Sequence, residues 1–346
     1  MIYMGISKTL SVEAGCIRSV AKTLADNQIS GNLLYVSDLT IDGLYGDVVQ
    51  SQLKTIGSVK RELVDNSTIA YAMQIAQRTI ETNISCIVGL GGGKVLDVCK
   101  YAAYISKRPI LSLPTTIAND GIASPIAVLK GTDNRPMSLG CSVPTMLLLD
   151  TQIIQDCPLE LIHAGIGDTI SNYMALLDWE LACSRGRDAM NGYAYLTSRT
   201  SLNALMKTQY TTICPDFIKL LADCIVLSGI AMDYAGSSRP VSGSEHLFSH
   251  ALDYYGDHPN LHGIQVALGT VAVLKLIGRD YSKVLNYLKV FQVDVNPRRL
   301  GISEELFIHC MKNATKMRSN RYTYMNEANL EEEKLHKIYS ELVEEL

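Results

Sequence analysis

Two histidines stand four residues apart in GSSRPVSGSEHLFSHALD, residues 236–253, a spacing that puts His246 and His250 on one face of a helix. A third, His262, follows in LHGIQVALGTV, where it opens another helix after the loop Tyr255 to Leu261. Upstream, AGIGDT (164–169) places Asp168 at the start of a helix that continues through Ile170 to Leu177. Two imidazoles and a carboxylate make a divalent site suited to Zn, Fe, Ni or Mn, with positions left open for substrate oxygens. The zincin pattern is absent, because Leu247 follows His246 and Glu245 precedes it. Each residue also has a plainer alternative, Asp168 as a helix cap and His246 or His262 as a hydrogen-bonded interior histidine.

A second group surrounds GLGGGKVLDVCKYAAYI (89–105), where Gly91, Gly92 and Gly93 sit between a strand and a helix. Glycines there let backbone N–H groups approach a pyrophosphate closely, and the helix N-terminus adds positive partial charge. The spacing is neither GxGxxG nor a P-loop, since Lys94 follows the glycines directly. A tight turn that needs positive φ is the alternative. Asp38, just beyond an apolar run at Leu33 to Ser37, could accept bonds from a ribose diol and repel a 2′-phosphate, favouring NAD over NADP. As a lone Asp it could equally be a turn residue.

These groups need elements to hold them. The first half alternates β-prone runs with helical ones, the pattern of parallel strands joined by crossover helices. Strands are expected at Leu33 to Ser37, Ser85 to Gly89, Ile110 to Leu113, Ile126 to Leu129 and Thr145 to Leu149, with helices over Gly43 to Ile56 and Ser67 to Glu81. From about Pro158, which starts a new helix through Ile162, long alanine- and leucine-rich stretches replace the alternation. The expected division is therefore an α/β dinucleotide-binding domain over 1–156 and a helical domain over 157–346.

Composition narrows the function further. With 47% hydrophobic and 19% charged residues among 346, the composition is that of a compact enzyme rather than a disordered protein. A net charge of −4 offers no positive field for nucleic acid or anionic lipid. Nine scattered cysteines without a CxxC pair fit a reducing, cytoplasmic setting. The N-terminal MIYMGISKTLSVEAG lacks the pattern of a secretory signal, and no apolar stretch approaches the roughly 20 residues of a membrane helix. A small-molecule substrate is expected, and homo-oligomerisation is left open.

Taken in order, GLGGGKVLDVCKY, LPTTIANDGIASP (113–125), AGIGDTIS, SSRPVSGSEHLFSHALD, HGIQVALGT and RSNRYT (318–323) make a recognisable combination. The chain resembles the sn-glycerol-1-phosphate dehydrogenases, within the superfamily of glycerol dehydrogenases, iron-type alcohol dehydrogenases and dehydroquinate synthases. That resemblance implies a Rossmann-like N-terminal domain, an all-helical C-terminal domain and an active site in the cleft between them. It implies one divalent metal (Zn, Fe or Ni) on Asp168, His246 and His262, and NAD or NADP against Gly93, Lys94, Val95, Leu96, Asp97, Thr115, Thr116, Ile117 and Ala118, with Ser124 nearby. Asp120 and His250 would face substrate, while Asn119 stands where archaeal-type members often have His.

The implied reaction interconverts sn-glycerol 1-phosphate and dihydroxyacetone phosphate. The metal would stabilise the alkoxide, nicotinamide would take the hydride, and Asp120 and His250 would relay the proton or only position the substrate. For the substrate phosphate, Arg239, Arg318 and Arg321 are candidates by type, each with an interdomain ion pair as its alternative, preferred for Arg318. The rival readings are a dehydrogenase of glycerol or another free polyol, a dehydroquinate-synthase-like lyase, and a silent binding protein. The last would be expected to have lost Asp168, His246 or His262.

Overall fold

The computed structural model describes residues 7–257 and 260–345. Residues 1–6, where the N-terminal reading begins, and two residues of the loop Tyr255 to Leu261 lie outside that range.

Two compact units divide the chain. The first comprises the residues up to Ile117 together with Gly121–Cys157. Its strands are β1 (Thr9–Glu13), β2 (Gly31–Ser37), β3 (Gly57–Leu63), β4 (Cys86–Gly91), β5 (Ile110–Pro114), β6 (Ile126–Lys130), β7 (Pro136–Gly140) and β8 (Met146–Asp150). Its helices are α1 (Val20–Asp26), α2 (Leu39–Ile41), α3 (Asp47–Leu53), α4 (Ile69–Glu81), α5 (Gly93–Ser106) and α6 (Thr151–Gln155). Six strands form an all-parallel sheet in the order β1-β8-β5-β4-β2-β3.

The inner strands read as unbroken apolar runs because both faces of the sheet are covered. Leu33, Tyr35, Val88 and Leu111 face one core, while Leu34, Val36, Ile87 and Ile110 face a second that includes Val98 and Ala102 of α5. Pairing of Ser37 with Leu90 and of Gly91 with Pro114 brings the C-terminal ends of β2, β4 and β5 to one sheet edge. Asp38, Gly92 and Thr115 follow directly from those ends.

Some expectations for this unit change. Ile126 to Leu129 is extended as β6, but it pairs antiparallel with β7 in a separate two-stranded sheet. The cause is the turn between them, where Gly131 N–H reaches Arg135 O at 2.9 Å, Asp133 Oδ1 accepts from Arg135 N–H at 3.1 Å and Asn134 takes φ 62°. The helix over Gly43 to Ile56 is interrupted. Asp42–Gly46 widens into a π-helical turn, α3 follows it, and α3 ends at Leu53. Edge strand β3 escapes the apolar pattern because it carries Lys60, Arg61 and Glu62.

The second unit comprises Ala118–Asp120 and the chain from Pro158 on, and its named elements are helical throughout. They are α7 (Leu159–Ser184), α8 (Gly192–Met206), α9 (Pro215–Ala235), α10 (Ser244–Tyr255), α11 (His262–Leu276), α12 (Ser282–Val290), α13 (Glu304–Asn313) and α14 (Glu332–Glu345), with short 3-10 turns near the end.

Asp168 is not at a helix start: the helix begins at Leu159 and runs unbroken through Gly165 and Gly167. Mid-helix glycine costs about 1 kcal/mol relative to alanine, so packing has to hold it there. A Cβ on Gly167 would lie 2.2 Å from Gly263 O, and one on Gly263 only 1.9 Å from Ala164 O. The glycines let the backbones of α7 and α11 touch, and Asp168 and His262 are the residues next to that touch.

Candidate functional site

One residue from each of three helices builds the site in the second unit. Asp168 comes from the middle of α7, His246 from the first turn of α10, and His262 is the first residue of α11. One ligand atom from each lies within 4.8 Å of the other two. The His246 and His262 rings are 4.8 Å apart by centroid, and His262 Nε2 is 3.7 Å from Asp168 Oδ1. Asp168 and His246 are buried and His262 half-buried.

The electrostatics suit a cation. Burial first, and then the Asp120 charge, hold the Asp168 carboxyl well above the ordinary range, opposed by the Asp120 N–H that donates to Asp168 Oδ2 at 2.8 Å. Burial first, then Arg318 and Arg321, pushes His246 down to about 3. His262 is also pushed down to about 3, by burial first and then by His246 and Arg318. Two neutral imidazoles and a carboxylate that lacks a counter-charge are the donor set a divalent ion satisfies.

His250, one turn beyond His246, has its ring centroid 6.3 Å from both His246 and His262. Its Nε2 is buried without a hydrogen-bond partner among the described residues. Burial, then Arg318, holds its pKa well below the usual range. Asp120 belongs to the same unit and meets Asp168 through its backbone. The structure therefore gathers Asp120, Asp168, His246, His250 and His262.

In the first unit, the glycine motif divides in two. Gly89 and Gly91 are required by packing, since a Cβ would come within 2.8 Å of Cys99 Sγ and of Val95 side-chain carbons respectively. Gly92 and Gly93 face room: a Cβ on Gly92 would find Thr116 Oγ1 at 3.7 Å, and one on Gly93 nothing within 4 Å. Gly92 is the N-cap of α5, and no side chain caps that helix. The first-turn N–H groups of α5 beside open space make a cradle that fits a pyrophosphate.

The remaining cofactor candidates are placed unequally. Thr115 lies beside the loop, its N–H reaching Gly91 O at 3.1 Å and its buried Oγ1 having no partner. Lys94 is exposed, and Ala118, which is part-exposed, belongs to the second unit. Val95, Leu96 and Ile117 point into the core, so only their backbones can serve a ligand. Asp97 is tied to Lys100 Nζ at 2.9 Å and to Val128 N–H at 3.1 Å, which anchors β6. Ser124 is buried, its hydroxyl near the Gly121 and Ile126 carbonyls that Lys100 also grips. Asp38 caps α2, with Oδ1 accepting from Thr40 and Ile41 N–H at 3.0 Å each.

Comparison with known proteins places this geometry. The pattern of the iron-containing alcohol dehydrogenase family matches residues 11–158. A glycerol-1-phosphate dehydrogenase [NAD(P)+] of Methanococcoides burtonii is 32% identical over 327 residues, covering 93% of this chain and 91% of the relative. Another from Staphylothermus marinus is 36% identical over 292 residues, covering 83% and 82%. The chain belongs to the glycerol-1-phosphate dehydrogenase family. The fold is also that of glycerol dehydrogenase from Schizosaccharomyces pombe, with a TM-score of 0.81 at 15% identity, covering 99% and 91% of the two chains.

Reading by motif in this family misses residues that act behind the site. Asp178 of α7 accepts from Ser244 N–H at 2.5 Å, from Ser244 Oγ and from Tyr324 N–H, both at 2.7 Å, and so fixes the start of α10 two residues before His246. Burial, then the Glu245 charge, lifts it to about 7. Glu245 is wholly buried, and burial lifts it to about 8. The signal for both was available in the sequence: each is a carboxylate on an apolar helix face.

Proposed function

We propose that the chain interconverts sn-glycerol 1-phosphate and dihydroxyacetone phosphate, with NAD or NADP as hydride carrier and one divalent metal. The observation that carries the phosphorylated substrate is a pair of arginines beside the histidines. Arg318 Nη1 donates to Ser238 Oγ at 3.1 Å, and Arg321 donates to Ser238 Oγ at 3.0 Å and to Ser242 O. Arg239 is paired with Asp188 at 2.5 Å, and Arg321 feels the Glu245 and Asp188 charges as well as those of Arg318 and Arg239. Burial lowers the pKa of Arg318, and burial followed by Arg318 takes Arg321 down to about 10. Two buried guanidinium groups side by side suit a phosphate dianion, which accepts charge-assisted hydrogen bonds that a free polyol cannot match.

Asp168, His246 and His262 hold the metal, and the α5 N-terminus with Gly92 and Gly93 holds the pyrophosphate of the dinucleotide. When bound, the metal supplies Lewis acidity at the C2 oxygen and the nicotinamide supplies the hydride acceptor. His250 takes the C2 hydroxyl proton at Nε2, a role supported by the absence of any partner for that buried atom. Asp120, anchored by its N–H on Asp168, continues the proton path. Arg318 and Arg321 orient the substrate by its phosphate, away from the reacting carbon. Asp38, a carboxylate at the same sheet edge as the glycine loop, favours a free ribose 2′-hydroxyl and hence NAD.

No helix of the described residues is long and apolar enough to cross a membrane. Cys16, Cys86 and Cys99 serve as buried packing residues, which supports a reducing cytosol as the protein's setting.

The test is NADH oxidation with dihydroxyacetone phosphate against dihydroxyacetone, each with added Zn, Fe or Ni. A kcat/KM at least ~10-fold higher for the phosphorylated ketone is expected from one or two charge-assisted hydrogen bonds. Equal or better turnover of dihydroxyacetone would remove the phosphate from this reading.

A further inference from the structure

Behind each metal-facing imidazole lies a hydrogen-bond partner whose direction can be worked out. Gln265, on the turn of α11 after His262, donates from Nε2 to Asp253 Oδ1 at 3.1 Å. A carboxylate only accepts, so this fixes the amide orientation and turns Gln265 Oε1 the other way. Ser249 Oγ donates to that Oε1 at 2.7 Å. The hydroxyl has a single proton, so its 3.2 Å contact with His262 Nδ1 must be one in which serine accepts and the imidazole donates. His262 therefore carries its proton on Nδ1. Its Nε2 keeps a bare lone pair, and Nε2 is the atom 3.7 Å from Asp168 Oδ1.

His246 shows the same logic through one residue. Its Nδ1 lies 2.7 Å from Glu245 Oε1, an oxygen that also accepts from Gly243 N–H at 2.7 Å. With Glu245 ionised, Oε1 accepts the Nδ1 proton as well and leaves Nε2 bare. Gln265 and Ser249 are buried polar residues within apolar helix faces, with 1% and 0% exposure, where a polar side chain without such a task would only cost stability.

We propose that Ser249, Gln265 and Asp253 form a one-way hydrogen-bond chain that holds His262 in the tautomer whose Nε2 accepts the metal, as Glu245 does for His246. These are positioning residues: they touch neither substrate nor metal, and they set which nitrogen is available and how the ring is aimed. The chain rests on reading Asp168, His246 and His262 as the metal site.

The experiment measures zinc affinity by chelator competition, without substrate, for the unmodified protein, Ser249→Ala, Ser249→Thr and Gln265→Met. In parallel, ¹⁵N shifts of the His262 imidazole are recorded in the zinc-free protein. Ser249→Ala and Gln265→Met are expected to bind zinc ~10–100-fold more weakly. Ser249→Thr, which keeps the hydroxyl, should restore most of the affinity. In Ser249→Ala the imidazole shifts should move from a single Nδ1–H form toward a mixture. Circular dichroism selects the variants that fold, and each is compared only in folded form. Unchanged affinity in folded Ser249→Ala and Gln265→Met would overturn the chain while leaving the metal site standing. Failure of the unmodified protein to bind zinc, iron or nickel would instead overturn the site itself.

Discussion

Gly263→Ala should separate the metal site from the fold that carries it. The added Cβ would meet Ala164 O at 1.9 Å, whereas ordinary contact begins near 3.4 Å, so α7 and α11 must part locally by about 1.5 Å. The atom in the way is backbone, which no rotamer change can move aside. Overpacking of this kind costs about 1–3 kcal/mol, and the better helix propensity of alanine returns ~1 kcal/mol of it. A net loss of at most about 2 kcal/mol is small against the stability of a core this size. The effect on the site is larger, because His262 precedes Gly263 and Asp168 follows Gly167, the two halves of the contact. Metal–ligand distances tolerate about 0.2 Å, so a 1.5 Å separation takes one ligand out of reach. Zinc affinity should fall by at least ~100-fold, the upper end of what disturbing a ligand's support costs. Chelator competition measures the affinity and urea unfolding of the metal-free protein measures the stability. Gly192→Ala, where a Cβ meets nothing among the described residues within 4 Å, is the control: stability should hold or rise and zinc affinity should not change. A Gly263→Ala protein that binds zinc as tightly as the unmodified chain would refute the claim that this helix crossing sets the ligand distance.

Further outcomes follow from the same structure. Gly93→Ala adds a Cβ into open space at the start of α5, so thermal stability should hold or rise while the KM for NADH rises about 10-fold through obstruction of the pyrophosphate cradle; an unchanged KM would point away from that loop. Arg321→Ala should raise the KM for dihydroxyacetone phosphate ~10–100-fold and leave turnover of dihydroxyacetone nearly constant, and a parallel loss with both ketones would indicate a structural role. Asp168→Asn should abolish stoichiometric metal binding by elemental analysis while the metal-free protein stays folded, since burial already favours the uncharged carboxyl whose shape Asn matches. Chelator treatment should lower the unfolding free energy by about 4 kcal/mol relative to protein held at a thousandfold excess of zinc over its Kd; no shift would mean that the folded state does not bind the ion preferentially.

The sequence was most informative where residue type and local spacing coincide. His246 and His250 are four apart on α10, and that alone places them on one face. The apolar runs at Leu33, Cys86, Ile110 and Met146 could be read as buried parallel strands because nothing polar interrupts them. Polar edge strand β3 offered no such run, and the turn at Gly131–Arg135 went unread, which is why β6 was expected to continue the alternation. The approach of Asp168 to His262 was beyond local reading, because it is set by two glycines that contact each other across helices.

Glycine is the instructive case. In AGIGDT its low helix propensity suggests a helix beginning late, yet tertiary contact overrides propensity and α7 passes straight through. In GLGGGK four glycines look alike, and only the structure separates Gly89 and Gly91, which make room for Cys99 and Val95, from Gly92 and Gly93, which make room for something outside the chain. The polar residues behind the site carry the opposite lesson. Gln265 sits between Ile264 and Val266 in a helix buried from Gly263 to Leu274, and an uncharged polar side chain there must find partners or cost stability. Gln265 lies three residues after His262 on α11 and its partner Ser249 three residues after His246 on α10, so the support of the proposed metal site follows the same helical period as the ligands. A polar residue one turn from a candidate ligand, inside an otherwise apolar helix, is thus a sequence feature that supports the ligand reading without relying on a motif.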